Sequence, residues 1–269
     1  MLPLDSPRWS KLPSSVGNGV EPASELARLK PLLLNTEGPA FSQAIEELGY
    51  VVEDLDHQQT TYAATMAAMP HFVEIAMGLP LNSQIQLLSW IAMMHHDAAG
   101  VRSKEEDLLL WYRESIAQAK NLNKSILTGH AKLSFGDQIS LFESYQQFNG
   151  EYHYAFRDHQ WLEYKCPACE EALIAALHDS EYWVWQAADG DDFEAVATAN
   201  KVQVKPAANI ETKIELPENL ELKPILAIAQ QGNRQETIAW LERLTGTSPC
   251  PACDQEIRVA YNEFWFKNS

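Results

Sequence analysis

Two identical tetrapeptides, Cys166-Pro-Ala-Cys169 and Cys250-Pro-Ala-Cys253, contain every cysteine of the chain. A pair of thiols held across a tight turn offers two soft ligands, and two such pairs supply the four sulfurs that tetrahedral zinc takes in a structural site. Compact zinc ribbons separate their pairs by about 15–20 residues, whereas 80 residues lie between Cys169 and Cys250. The expectation of one shared site, holding one structural Zn2+, therefore rests on the repeated knuckle and on the absence of any leftover cysteine. Two other chemistries stay open to the same residues: thiol or disulfide pairs without a metal, and thioredoxin-like redox exchange. The redox reading needs its motif at the start of a helix within a βαβ unit. Residues 160–165 can form a strand, but no parallel α/β pattern surrounds them. Four thiolates also leave no open coordination position, which favours scaffolding over catalysis.

His95-His96-Asp97 is the rival constellation. Histidines and aspartates on neighbouring helices can hold a metal that activates water, as in HD-type phosphohydrolases. His57 and His71 precede this trio, and Asp107 or Asp137 could supply a later carboxylate. The plainer reading places His95 at helical spacing after Leu88 and Ile91, hydrogen-bonded near a helix end where a cation suits the dipole. Glu170-Glu171 and the group Asp189, Asp191, Asp192 and Glu194 offer paired carboxylates beside expected turns. The second group is the candidate contact for a basic partner, because like charges on a loop steer encounter. No Gly-rich phosphate loop, GxSxG elbow or HExxH motif is present, so no enzyme is expected.

Charge narrows the partners. The formal net charge is −17, and residues 166–269 hold 17 acidic and eight basic side chains, or −9. Nucleic acid binding needs a basic stripe, which is absent. An acidic surface suits a basic protein, although it also serves solubility alone. The apolar runs are too short for a membrane span. Met1-Leu-Pro-Leu-Asp5 has neither a basic n-region nor a following apolar h-region, so a cytoplasmic location is expected. Thiols there are kept reduced and bind metal more often than they pair.

The elements that must position these residues are mostly helical. Residues 1–20 contain Pro3, Pro7, Pro13, Gly17 and Gly19 and read as an irregular lead-in. Residues 21–150 read as successive amphipathic helices. Their apolar stripes are Leu26, Leu29, Leu33 and Leu34; then Ala44, Leu48 and Val51; then Tyr62, Met66, Met69, Val73 and Met77. The third helix is expected to be capped by Thr60 or Thr61 and bent at Pro70. A fourth, opened by Asn82 or Ser83, buries Leu87, Leu88, Ile91 and Met94. A capping box at Ser103-Lys-Glu-Glu106 should start the fifth, whose stripe runs Leu109, Tyr112, Ile116, Ala119, Leu122 and Ile126. A sixth spans residues 138–148. Short connections suit hairpins stacked side by side in an α-solenoid. Residues 151–269 differ: the aromatic stretch Tyr182–Gln186 and an alternating piece at Ile210–Leu216 predict a small β-containing region around the knuckles, and a helical hairpin follows over 222–246.

The stretch His57-Gln-Gln-Thr-Thr-Tyr-Ala-Ala-Thr-Met-Ala-Ala-Met-Pro70, with the helical pairs from Trp9 onward, resembles a large group of bacterial HEAT-like repeat proteins. That group has a related HQ-x-T-x-Y-x-AT-x2-A-x-P segment, and many of its members carry CP-x-C knuckles toward the C-terminus. The likeness covers about residues 9–130 and both knuckles, and departs at Gln59, where the group's pattern has glycine. It implies a mostly α, HEAT-like α-solenoid with a small β-containing zinc-knuckle region, built for protein contacts. Some members look like immunity proteins that neutralise a delivered toxin, which implies a toxin partner; the chain's acidic charge makes a basic toxin domain the expectation. Read from the residues alone, His57, Gln58, Thr61 and Thr65 are polar groups at a helix start, where they satisfy backbone donors.

Overall fold

The computed structural model describes residues 1–57, 60–98, 105–129, 131–150, 161–178, 181–186, 202–203, 222–244 and 246–258. The chain is mostly α-helical with short antiparallel strands, and its helices pack as hairpins in a solenoid-like manner. Two compact units form, Met1–Leu127 with Ser140–Tyr152, and Thr128–Ile139 with His153–Ser269.

The lead-in of the first unit is more ordered than its proline and glycine content suggests. A 3-10 turn, Pro7–Lys11, is opened by Ser6, whose hydroxyl accepts from the Arg8 amide at 3.3 Å. Strands β1 (Pro13–Ser14) and β2 (Gly17–Asn18) pair antiparallel behind it. Leu2, Trp9 and Leu12 are buried, and burying side chains of that size stabilises by about 1.5–3 kcal/mol each. The Trp9 indole N–H donates to the Pro3 carbonyl at 2.9 Å. Gly19 passes so close to the ring that a Cβ would lie 2.7 Å from it, so only glycine fits.

Helices α1 (Val20–Asn35) and α2 (Pro39–Leu55) form the first hairpin. Gly38, at φ +68°, turns the chain into Pro39, a residue preset for a helix start. Leu26, Leu29 and Leu33 face Ala44, Leu48 and Val51 in the core, while Leu34 slips off the stripe and is exposed. Helices α3 (Ala63–Gly78) and α4 (Leu81–Asp97) form the second hairpin, and α1 packs on α3. Thr60 and Thr61 do not cap α3. They form β4 (Thr60–Thr61), paired with β3 (Asp56–His57), and the cap position falls to Tyr62. There the Thr65 hydroxyl accepts from the Tyr62 amide at 3.1 Å and donates to the Leu55 carbonyl. Nor is the buried face of α3 a single stripe. Ala64 to Val73 are buried without a break, because α1, α4 and β1 surround the helix, whereas Met77 past that stretch is 62% exposed.

On α4 the expected Leu87, Leu88, Ile91 and Met94 are buried. Helix α5 (Glu106–Thr128) buries Tyr112, Ile116, Ala119 and Ile126, but Leu108 and Asn123 take the seats expected of Leu109 and Leu122. Asn123 is tolerated inside because its amide donates to the Leu141 carbonyl at 3.0 Å. Helix α6 (Phe135–Phe148) opens on a reciprocal cap in which the side chains of Ser134 and Asp137 each accept from the other's amide at 3.1 Å. The expected capping box at Ser103 lies outside the described residues.

The second unit contains a four-stranded antiparallel sheet in the order β5–β6–β7–β8: Trp161–Lys165, Ala172–His178, Glu181–Gln186 and Val202–Gln203. Helices α7 (Leu222–Gln231) and α8 (Gln235–Leu244) make the expected hairpin, turned at Asn233 with φ +53°. Arg234 ties residues 128–139 to this hairpin, donating to the carbonyls of Ala131 at 2.8 Å and Gly129 at 3.0 Å. Thr237 adds a buried hydroxyl bond to the Gln138 side chain at 2.8 Å. The last pair, β9 (Thr247–Pro249) and β10 (Glu256–Arg258), is antiparallel, and β9 lies against β8. The strand expected at Ile210–Leu216 lies outside the described residues.

Candidate metal centre

Each Cys-Pro-Ala-Cys sequence forms the turn between two antiparallel strands, β5 and β6 for Cys166–Cys169, β9 and β10 for Cys250–Cys253. The two turns are copies of one another. The Cys166 amide donates to the Glu171 carbonyl at 2.9 Å, and the Glu170 amide to the Cys166 carbonyl at 2.9 Å. Cys250 repeats the first bond with Gln255 at 2.8 Å, and Asp254 repeats the second with Cys250 at 2.9 Å. Glu170 and Asp254 each sit at φ 60°, a left-handed conformation an L-residue takes only where surrounding bonds demand it. In both turns the first cysteine is buried and the second exposed.

The knuckles meet. The Sγ atoms of Cys166 and Cys253 are 3.8 Å apart, as are those of Cys169 and Cys250, and all four lie within 4.8 Å of one another. A disulfide requires about 2.05 Å, and all four thiols are free. A tetrahedral thiolate site with metal–sulfur bonds of about 2.3 Å has sulfur–sulfur edges of about 3.8 Å. The cross-knuckle distances match that edge, so the four cysteines fit a tetrahedrally held metal ion. Redox exchange of the thioredoxin kind has no counterpart here, since both motifs sit in hairpin turns and neither opens a helix.

Electrostatics in the cluster favour a cation. Burial opposes ionisation of Cys166, but the Ala168 and Cys169 amides and the adjoining thiols bring it down to about 7. At Cys169 the Glu171 amide pulls the other way from burial and the other three thiols, which together push it up to about 12. The first negative charge forms readily and the next is resisted. An ion at the centre removes that resistance, and the Ala252 amide already donates to the Cys250 sulfur at 3.4 Å.

Four residues of the rival constellation, His95, His71, Asp107 and Asp137, have other partners. His95 Nδ1 lies 2.6 Å from the Tyr112 hydroxyl, with the Tyr112 and Phe148 rings packed beside it. Burial, with Lys120 nearby, lowers His95 to about 4, and burial raises Tyr112. A neutral imidazole accepting from a protonated phenol follows. His71 Nε2 bonds the Leu2 carbonyl at 2.8 Å, Asp107 holds the Arg8 guanidinium at 2.6 Å, and Asp137 caps α6. Among the described residues, the four cysteines are the one set of three or more His, Cys, Asp or Glu arranged to share an ion. Asp189, Asp191, Asp192 and Glu194 lie outside the described residues, and Glu170 is an exposed turn residue of the first knuckle.

A carboxyl pair escapes sequence reasoning altogether. Burial, then repulsion from Asp97, raises Asp56 to about 7, and neither of its carboxylate oxygens has a hydrogen-bond partner. Asp56 ends α2 and Asp97 ends α4, and no spacing rule joins positions so far apart. Among the described residues no helix is long and apolar enough to cross a membrane. No family model, curated protein or solved structure matches this chain.

Proposed function

We propose that this chain is a non-enzymatic, cytoplasmic protein-binding scaffold whose two knuckles are closed by one structural zinc ion, and that it acts as a bacterial immunity protein against a basic toxin domain. The observation that carries the scaffold reading is the four-sulfur cluster. Four sulfurs around one ion would complete a tetrahedron and leave no position for substrate or water, so the ion's work would be to hold the chain. Zinc fits best because it takes four thiolates in this geometry without redox change. The partner is read from charge: a chain at −17 attracts a cationic surface and speeds its docking.

Co-expression with the product of the neighbouring gene tests this. A tight complex that abolishes the toxicity of that product is the expected result. No complex, together with metal-dependent phosphatase activity lost on replacing His96 and Asp97, would instead establish the hydrolase.

A further inference from the structure

Between Lys30 and Arg102 lie 71 consecutive residues without a lysine or arginine and with eight carboxylates. These residues build α2, α3 and α4. The two cations just before them are already engaged: Arg28 binds Glu25 and Glu47, and Lys30 binds Glu74 at 2.6 Å. Negative potential is felt locally, since burial and then the charges of Glu21 and Glu53 raise the Asp54 carboxyl.

The stacking of the hairpins decides which side of this acidic region is open. With α1 on α3, the second helices also meet, and a Cβ on Gly49 of α2 would lie 3.6 Å from the Trp90 ring of α4. Residues 1–20 cover the other layer, the Pro7–Lys11 turn against α1 and β1 against α3. The α2 and α4 layer carries Tyr50 at 59% exposed and Met93 at 38%, with Trp90 half-buried. Glu46 and Glu53, both exposed, stand one helical turn to either side of Tyr50.

We propose that this Tyr50-centred side of α2 and α4 receives a lysine- or arginine-bearing segment of a protein partner. The proposal rests on the scaffold reading and gives it a surface. A cation stacks on the Tyr50 ring, its aliphatic stem covers Met93 and the Trp90 edge, and Glu46 and Glu53 flank the charge. Exposed aromatic anchors with a charged rim are the usual energetic centre of such contacts. A second copy of this chain is a poor occupant because it brings the same negative charge to the contact.

The test is titration of a labelled amphipathic lysine–leucine peptide, and of its glutamate–leucine counterpart, into the full chain at low salt. The wild type is expected to bind the first and not the second. Tyr50→Ala should weaken binding about five- to tenfold. Glu46→Gln with Glu53→Gln should weaken it about threefold or more and flatten its salt dependence, while Glu37→Gln, away from the patch, changes it less than about twofold. Circular dichroism melts check that the variants fold, which exposure of the three side chains favours. Equal binding by wild type and Tyr50→Ala overturns the surface and leaves the scaffold reading standing. No binding by wild type, or self-association that Tyr50→Ala abolishes, overturns the proposal; in the first case the basic-partner reading falls with it.

Discussion

Replacing Cys250 with serine removes one corner of the sulfur tetrahedron and lets the two knuckles part. The span closed by the ion is the 80 residues between Cys169 and Cys250. The chain-entropy relation for a cross-link closing a loop of that size gives about 4–5 kcal/mol at 25 °C, and the binding free energy of such a site is folding free energy. For a unit of this size that corresponds to a melting shift of about 10–20 °C. The measurement is thermal unfolding followed by near-ultraviolet circular dichroism, with metal content from atomic emission on the same samples. Wild type should hold one zinc per chain, and Cys250→Ser or a strong chelator should remove it and lower the melt of the second unit. Cys166→Ser should do the same, and the double variant should lose little more than either single one, because both break the same ion. Unchanged melting after full metal removal, or additive losses from the two serines, would refute the shared site.

Two further outcomes concern the fold. Asp56 has its folded pKa raised to about 7 by burial and by Asp97, above the ordinary carboxyl value of about 3.9. Its stability contribution is therefore full below pH of about 4, declines as pH rises through 7 and stays low above. Asp56→Asn should abolish that slope and stabilise the first unit by about 1–2 kcal/mol at pH 8, after discounting for solvent screening at this half-buried site; urea melts across that range would show no such difference if the pair is not strained. Arg234→Met should cost about 2 kcal/mol, since it strips the Ala131 and Gly129 carbonyls of a charged donor. Urea melts equal to wild type would show that water replaces the guanidinium there.

The four-cysteine cluster was legible because it depends on residue identity. Thiols have few uses, the chain has four, and the Cys-Pro-Ala-Cys repeat fixes how each pair must turn, whatever separates them. Helix existence was legible for a similar reason: periodic leucines such as Leu26, Leu29 and Leu33 report a face that must be buried. Helix margins were not. Thr60 and Thr61 are good caps by type, yet a two-residue pairing with Asp56 and His57 claims their backbone, and Thr65 performs the capping from inside the helix. Periodicity also misreads a helix packed on several sides. In α3 the pattern of alanine and methionine fits any single stripe, and only the meeting of α1, α4 and β1 around it shows that nearly all positions are interior.

What joins distant positions by burial alone leaves no sequence trace, and the chain shows both kinds of junction. Cys166 and Cys253 can be paired on paper because each is useless as a ligand set without the other. Asp56 and Asp97 cannot, since an aspartate at a helix end has an ordinary solvated explanation that costs nothing. The difference matters for how the two units keep their shapes. Four thiols brought within 4.8 Å resist ionising together, so if they hold an ion as proposed, the stability of the knuckles should follow metal availability. Asp56, buried and facing the charge of Asp97, is relieved by its own proton, so stability at the end of α2 follows pH. Exchanging the perturbations separates the two: chelation should leave the pH slope of the first unit intact, while Asp56→Asn should leave zinc content at one per chain.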